Sequence, residues 1–124
     1  TRVILFFYPR DDTPGCTKEA CGFRDAMPAI VARNATVLGV SADPEASHER
    51  FRDKYELNFP LLADVDHAVA EAYGAWGTKK LYGREYEGIL RSTFLIGVDG
   101  RLEKVYRRVR PAEHASEVVA ELEQ

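Results

Sequence analysis

The sequence predicts an α/β fold with a central mixed sheet flanked by helices, and three observations carry that expectation. Val3 to Tyr8 is an unbroken apolar run of strand length, as expected of a strand buried on both faces. A second strand-like run, Thr36 to Ser41, follows a helical stretch, and a strand-helix-strand unit implies parallel pairing through a right-handed crossover. Near the other end, Asp99-Gly100 separates two further strand-like runs, the signature of an antiparallel hairpin. A sheet holding both kinds of pairing is mixed.

Taken in order, the first strand ends at Pro9 and two aspartates, and Pro14-Gly15 marks the turn into a helix. Thr17 to Ala26 lacks proline and places Ala20, Phe23 and Met27 at helical spacing. Asp25 is expected to cap a second helical piece, with Pro28 in its tolerated first turn and Asn34 ending it. After Thr36 to Ser41, Asp43-Pro44 opens the next helix in the preferred cap-then-proline order, with Phe51 and Tyr55 at i, i+4. Asp66 caps a further helix through Ala68, Val69, Ala72 and Tyr73, stopped by Gly74. Gly74 to Gly88, with four glycines among aromatic and charged residues, reads as a loop. Ile89 to Val98 and Leu102 to Val109 are the hairpin strands, and Pro111 to Leu122 closes the chain as a helix facing the sheet through Val118, Val119 and Leu122.

Composition bounds what such a chain can do. At 124 residues, 45% hydrophobic and 30% charged, residues 1–124 suffice for one soluble globular domain with its own core. A net charge of −3 gives no general reason to expect nucleic acid or an anionic membrane as partner. The longest clean apolar run is Val3 to Tyr8, far short of a membrane span, and no secretory signal is visible. Two cysteines are too few for a disulfide scaffold and suit a redox pair in a reducing, cytoplasmic setting. No long amphipathic surface demands a partner, so a monomer is expected.

The chemistry concentrates at Cys16. The first backbone NH groups of a helix lack internal partners and its dipole favours an anion there, so a thiolate in that turn is stabilised. Thr13, three residues upstream, lies close enough to offer its hydroxyl to the sulfur or to a ligand. The competing reading is a buried structural cysteine, since free cysteine is among the most buried residue types. Cys21 sharpens the choice. Five residues apart on an intact helix, the two Cα atoms stand roughly 8 to 9 Å apart, too far for a disulfide. A bond between them requires the first turns to unwind, which suits a transient redox bond better than a permanent staple.

Pro9, Thr13 and Cys16 stand as P-x-x-x-T-x-x-C, inside the longer string F-Y-P-x-D-x-T-P-G-C-T-x-E-A-C. That string resembles the active site of peroxiredoxins of the bacterioferritin-comigratory, or Q, subfamily. The similarity continues through Asn58-Phe-Pro-Leu-Leu-Ala-Asp64, Tyr73-Gly-Ala-Trp-Gly77 and Arg91-Ser-Thr-Phe-Leu-Ile96, and so covers nearly the whole chain. The resemblance implies a thioredoxin-like fold and a thiol peroxidase acting on hydrogen peroxide and organic hydroperoxides. It makes Cys16 the peroxidatic and Cys21 the resolving cysteine, forming an intramolecular disulfide that thioredoxin or a similar dithiol protein reduces. No metal or organic cofactor is implied. Members of that family carry a leading segment before the first strand. Its absence here leads us to expect an N-terminally truncated chain.

The remaining site expectations follow. If the strand from Ile89 runs antiparallel beside Val3 to Tyr8, its beginning lies near Cys16, and Arg91 reaches the site despite its distance in sequence; the family's R-x-T-F pattern favours that role. An ordinary cysteine is only about 3% thiolate at neutral pH, so complete ionisation gains at most about thirtyfold, and lowered nucleophilicity takes part of that back. The site must therefore stabilise the charge developing on the departing peroxide oxygen, with Arg91, the Cys16 backbone NH and the Thr13 hydroxyl as candidate donors. Pro9 and Pro14 shield the sulfur and, with Gly15, shape the turn. Glu19 either pairs with Arg91 or simply favours the helix dipole, and the dipole reading is preferred. Trp76 either walls a substrate pocket or packs under the Gly74 to Gly88 loop, and packing is preferred.

Three other classes fit the sequence less well. A thioredoxin-type oxidoreductase would show C-x-x-C. A metal module would need more ligands than the two cysteines and the scattered His48, His67 and His114. A noncatalytic binding domain rests on Lys104, Arg107, Arg108 and Arg110, which read better as charges guarding an exposed edge strand.

Overall fold

The computed structural model describes residues 1–124. Its main sheet has five strands, β1 (Arg2–Phe7), β2 (Ala35–Ser41), β3 (Leu61–Ala63), β6 (Ser92–Ile96) and β7 (Leu102–Tyr106), in the order β3-β2-β1-β6-β7. β1 pairs parallel with β2 and antiparallel with β6, and β6 pairs antiparallel with β7, so the mixed sheet follows the expected plan. Helices α1 (Pro14–Ala32), α2 (Glu45–Tyr55), α3 (Ala68–Ala72) and α4 (His114–Leu122) connect or close it, and a separate hairpin joins β4 (Trp76–Leu81) to β5 (Arg84–Ile89).

Strand alternation divides the interior in two. Ile4, Phe6 and Tyr8 point to one face of β1, where they pack with Phe23 and Ile30 of α1, Phe51 of α2 and Val118 and Leu122 of α4. Leu5 and Phe7 point to the other, meeting Val40, Phe94, Ala70, Ala75 and Ile89. Central strand β1 is thus buried on both sides, the reason its sequence is continuously apolar. Edge strand β7 carries Lys104 in its exposed stretch, with Arg107, Arg108 and Arg110 just beyond.

Several expectations need correction. First, Asp25 and Pro28 do not begin a second helix, because α1 runs unbroken through Pro28. Proline cannot donate to the carbonyl one turn back, and the Asn58 side chain fills that gap, its Nδ2 donating to the Arg24 carbonyl at 3.2 Å. Second, Asp43 does not cap α2, whose N-cap is Pro44. Asp43 Oδ2 accepts instead from the Asp11 amide at 2.8 Å and the Ser41 hydroxyl at 2.6 Å. Third, Gly74 to Gly88 is largely the β4–β5 hairpin. Tyr82 and Gly83 both take positive φ, 52° and 77°, as a two-residue primed turn requires. The ribbon is mostly exposed, so it lacks the apolar alternation that announces a strand, and only its base is anchored, at Trp76 opposite Ile89. Fourth, Ile89 belongs to β5 rather than to the strand it was expected to start, and the short strand β3 lies within a segment read only for its motif. At α3, Asp64 rather than Asp66 does most of the capping, its two oxygens accepting from the Val69 and Ala70 amides at 3.1 and 2.8 Å.

Candidate active site

The end of β1 hands the chain to a turn, Tyr8 to Thr13, and then to α1. Thr13 takes extended dihedrals and its carbonyl accepts from the Thr17 amide at 2.8 Å, closing the first helical turn. Pro14 occupies N1, where a missing NH costs nothing, and Cys16 follows at N3, 1% exposed. Because Phe7 pairs with Ser92 across the β1–β6 ladder, Arg91 stands directly beside this turn. Its Nη2 donates to Cys16 Sγ at 3.3 Å and its Nη1 to Glu19 Oε1 at 2.7 Å. Gly15 leaves room for the arginine: a Cβ at that position would lie 3.3 Å from Arg91 Nη2, a tight contact.

Glu19 is therefore an ion-pair partner and not merely a favourable charge for the helix dipole, correcting the preferred reading. It is fully buried, and its Oε2 has no hydrogen-bond partner. Burial pushes its carboxyl up to about 7, against the opposing pull of Arg91. On Arg91, burial acts downward, yet the facing charges of Glu19 and Cys16 hold the guanidinium above its ordinary value.

Thr13 departs from expectation in one respect. Its hydroxyl donates to the Arg10 carbonyl at 2.9 Å, so it stiffens the turn and has only acceptor lone pairs left to offer. Pro9 and Trp76 both line a cleft of about 420 Å³ whose other walls include Ala42, Lys79 and Tyr86. Trp76 also stacks on His67, with ring centroids 3.8 Å apart and planes within 6°, so the packing and pocket readings both describe it. Pro14 is exposed at the helix start. Cys21 is half-buried on the same unbroken helix, and both thiols are free.

The comparisons with known proteins agree with this geometry. The AhpC/TSA family model matches residues 1–105. Peroxiredoxin Bcp of Bacillus subtilis is 47% identical over 120 residues, 97% of this chain and 76% of the relative. The chain belongs to the AhpC/TSA family, as a peroxiredoxin of the Bcp, or Q, type. Peroxiredoxin Bcp of Escherichia coli K12 is 45% identical over 113 residues, 91% of this peroxiredoxin and 72% of the relative. Among solved structures, the bacterioferritin comigratory protein of Xanthomonas campestris, studied for its alkyl peroxide reduction activity, superposes with a TM-score of 0.93 at 38% identity. That match covers 98% of this chain and 78% of the other. The PrxQ of Xylella fastidiosa gives 0.94 at 40% identity, over 99% and 76%. The sheet, with its helices on both faces, is the thioredoxin-like fold these neighbours share.

Sequence reasoning missed a second polar cluster in this peroxiredoxin. Asp11 accepts from the Tyr8 hydroxyl at 2.6 Å, the Ser47 hydroxyl at 2.8 Å and His48 Nδ1 at 2.7 Å. Burial alone would raise the Asp11 carboxyl, but the hydrogen bonds from His48, Tyr8 and Ser47 together hold it below the usual range. Burial and then Asp11 push the Tyr8 phenol far up. Asp11 and Asp43 lie close to His48, but the carboxylate oxygens facing one another already accept protons, which makes the group a hydrogen-bonded network rather than a cation cage. The only signal in the sequence was Asp11 itself, inside the motif; nothing there linked it to a histidine 37 positions away.

Proposed function

We propose that this peroxiredoxin reduces hydrogen peroxide and organic hydroperoxides with Cys16 as the attacking thiol and Cys21 as the resolving one. The observation that carries the reading is the Arg91 guanidinium, donating to Cys16 Sγ at 3.3 Å while Glu19 fixes its other end. A peroxide entering beside the sulfur meets that same cation. The Cys16 thiolate attacks the nearer oxygen and the O–O bond breaks; the sulfur becomes a sulfenic acid and the departing oxygen leaves as water or alcohol after taking up a proton. Arg91 and the backbone NH groups at the start of α1 stabilise the charge developing on that oxygen, in a site largely closed to water. Thr13, through its lone pairs, orients the peroxide OH.

The first turns of α1 then unwind, and the Cys21 thiol displaces water from the sulfenic acid to give the Cys16–Cys21 disulfide. Thioredoxin or a similar dithiol protein reduces it. Pro9 and Trp76 line the approach from the cleft. The Xanthomonas relative's alkyl peroxide reduction supports organic hydroperoxides as substrates here. No helix is long and apolar enough to cross a membrane. We place the protein in the cytoplasm, where reducing conditions suit a redox-active cysteine pair, and take the working unit to be a monomer.

The test is one equivalent of hydrogen peroxide added to reduced protein, following peroxide, free thiols and intact mass. Rapid loss of two thiols and about two mass units is expected, abolished in Cys16→Ser and diverted to a sulfenic acid in Cys21→Ser. A folded sample reacting no faster than free cysteine overturns the proposal.

A further inference from the structure

His48 lies on α2, outside the cysteine site, and is 2% exposed. Its Nδ1 is 2.7 Å from Asp11 Oδ2 and its Nε2 is 3.1 Å from the Leu62 carbonyl of β3. A carboxylate and a carbonyl only accept, so both ring nitrogens must donate, and only the imidazolium carries two NH groups. The surrounding groups suit a cation. Asp11 faces it from the turn, Asp43 stands behind Asp11 from the segment before α2, and Ser47 of α2 directs its proton to Asp11. Tyr8, at the end of β1, lies 3.4 Å from Nδ1 with its own proton on Asp11. On the solvent side Glu45, Glu49 and Arg52 of α2 share a pocket with the ring, and β3 presents the Leu62 carbonyl.

The histidine thus joins three elements: the end of β1, the turn that leads to Cys16, and β3. Asp11 is the point it grips. The Asp11 amide is held as well, by Asp43, so this residue is fixed through both backbone and side chain. Two residues later Thr13 starts α1, and its hydroxyl ties back to Arg10 on the near side of Asp11. Movement of Asp11 is therefore passed to the first turn of the helix, where Cys16 faces Arg91.

We propose that His48, as a buried imidazolium, is a positioning residue for the peroxide-reactive turn: it clamps Asp11 to the Leu62 carbonyl and so holds Cys16 against Arg91. The inference rests on the peroxidase reading of Cys16. A neutral ring has one NH group, so loss of the proton turns one of the two donors into an acceptor facing an acceptor, and the clamp loses a bond. Burial works against the charged ring, but Asp11 outweighs it and holds His48 above its ordinary value. With a raised folded value, the clamp's contribution is fully present below the unfolded value and is lost as pH rises through the folded one. Reaction with peroxide is then expected to show a descending alkaline limb set by His48, opposite in sense to the gain from thiol ionisation.

The test is a pH titration of reduced, ¹⁵N-labelled protein, reading the His48 ring nitrogens by NMR beside the stopped-flow rate of the first oxidation by hydrogen peroxide. Both nitrogens are expected to be protonated at neutral pH, and the rate to fall about tenfold as one proton leaves, in line with small misplacements at a reacting centre. His48→Leu is expected to be slowed by a similar factor at neutral pH and to lose the limb, a change in profile that general destabilisation would not produce. A neutral ring at pH 7, a rate that passes through the His48 titration without a step, or a limb retained in His48→Leu overturns the proposal. Should the variant not fold, coincidence or separation of the two wild-type titrations decides it. Peroxide consumption no faster than free cysteine at every pH would instead remove the peroxidase reading, and this proposal with it.

Discussion

Two buried charge clusters flank the turn before Cys16, and they are finished to different degrees. On one side Asp11 binds three donors with two oxygens, and every polar atom of His48 has a partner. On the other, Glu19 reaches Arg91 with one oxygen and leaves the second buried and bare. A satisfied network resists change because breaking any bond strands a buried group. A half-satisfied one stores a cost that a rearrangement or an incoming donor can relieve. The difference matches the tasks proposed above, with an anchor upstream of Cys16 and, downstream, a pair along the segment that must unwind.

The comparison breaks hardest at Arg91. Arg91→Met removes the only side-chain donor on the sulfur and leaves Glu19 alone; peroxide kcat/KM is expected to fall by about 10²- to 10³-fold, as for loss of a donor to developing charge. Stopped-flow oxidation of the reduced enzyme reads it. A loss under threefold would move catalysis away from the guanidinium.

Asp11→Asn tests the finished side. It withdraws the counter-charge from a buried imidazolium, and stability at pH 6 is expected to drop by about 3 kcal/mol. Urea unfolding monitors it, and the drop is expected to shrink where His48 is neutral. An equal loss at all pH values would mean the carboxylate serves as a hydrogen-bond hub alone.

Glu19→Gln sharpens the unfinished side. The folded carboxyl sits at about 7, above its ordinary value of 4.5. The folded state therefore binds the extra proton between those values, and Glu19's contribution, full below 4.5, is lost as pH rises through 7. Unfolding free energies from urea titrations at pH 5 and pH 8 are expected to differ less in Glu19→Gln than in the wild type, by on the order of 1 kcal/mol or more. Matching pH slopes would show that Arg91 fully compensates the buried charge.

The smallest effect belongs far from both clusters. Asn58→Ala removes the donor that replaces the Pro28 NH, and an expected loss of about 0.5 to 1 kcal/mol is read from the thermal midpoint. No loss would mean that water serves the Arg24 carbonyl equally well.

What the sequence made legible follows how local each signal is. β1, the Pro14-Gly15 turn and the Asp99-Gly100 hairpin announce themselves through neighbouring residues, and Arg91 was placed correctly because strand direction fixes which end of β6 meets the turn. The β4–β5 ribbon stayed hidden because its strands are mostly exposed and carry little apolar alternation. Pro28 misled because the donor that lets α1 continue is Asn58, thirty positions on. At the site, Cys16, Thr13 and Glu19 share one short segment, whereas the Asp11–His48 bond joins α2 to the turn only after β2 has crossed the sheet. The family motif marked the cysteine; three-dimensional packing alone reveals what holds it.

Trp76 is the chain's only tryptophan, and it stands at the base of the hairpin, on the wall of the cleft that also includes Pro9. All indole emission therefore originates at one spot, with one face of the ring covered by His67. The molecule carries its own optical gauge, unlabelled and beside the turn. Stages of a turnover that move the turn or the ribbon will register as changes in colour or brightness.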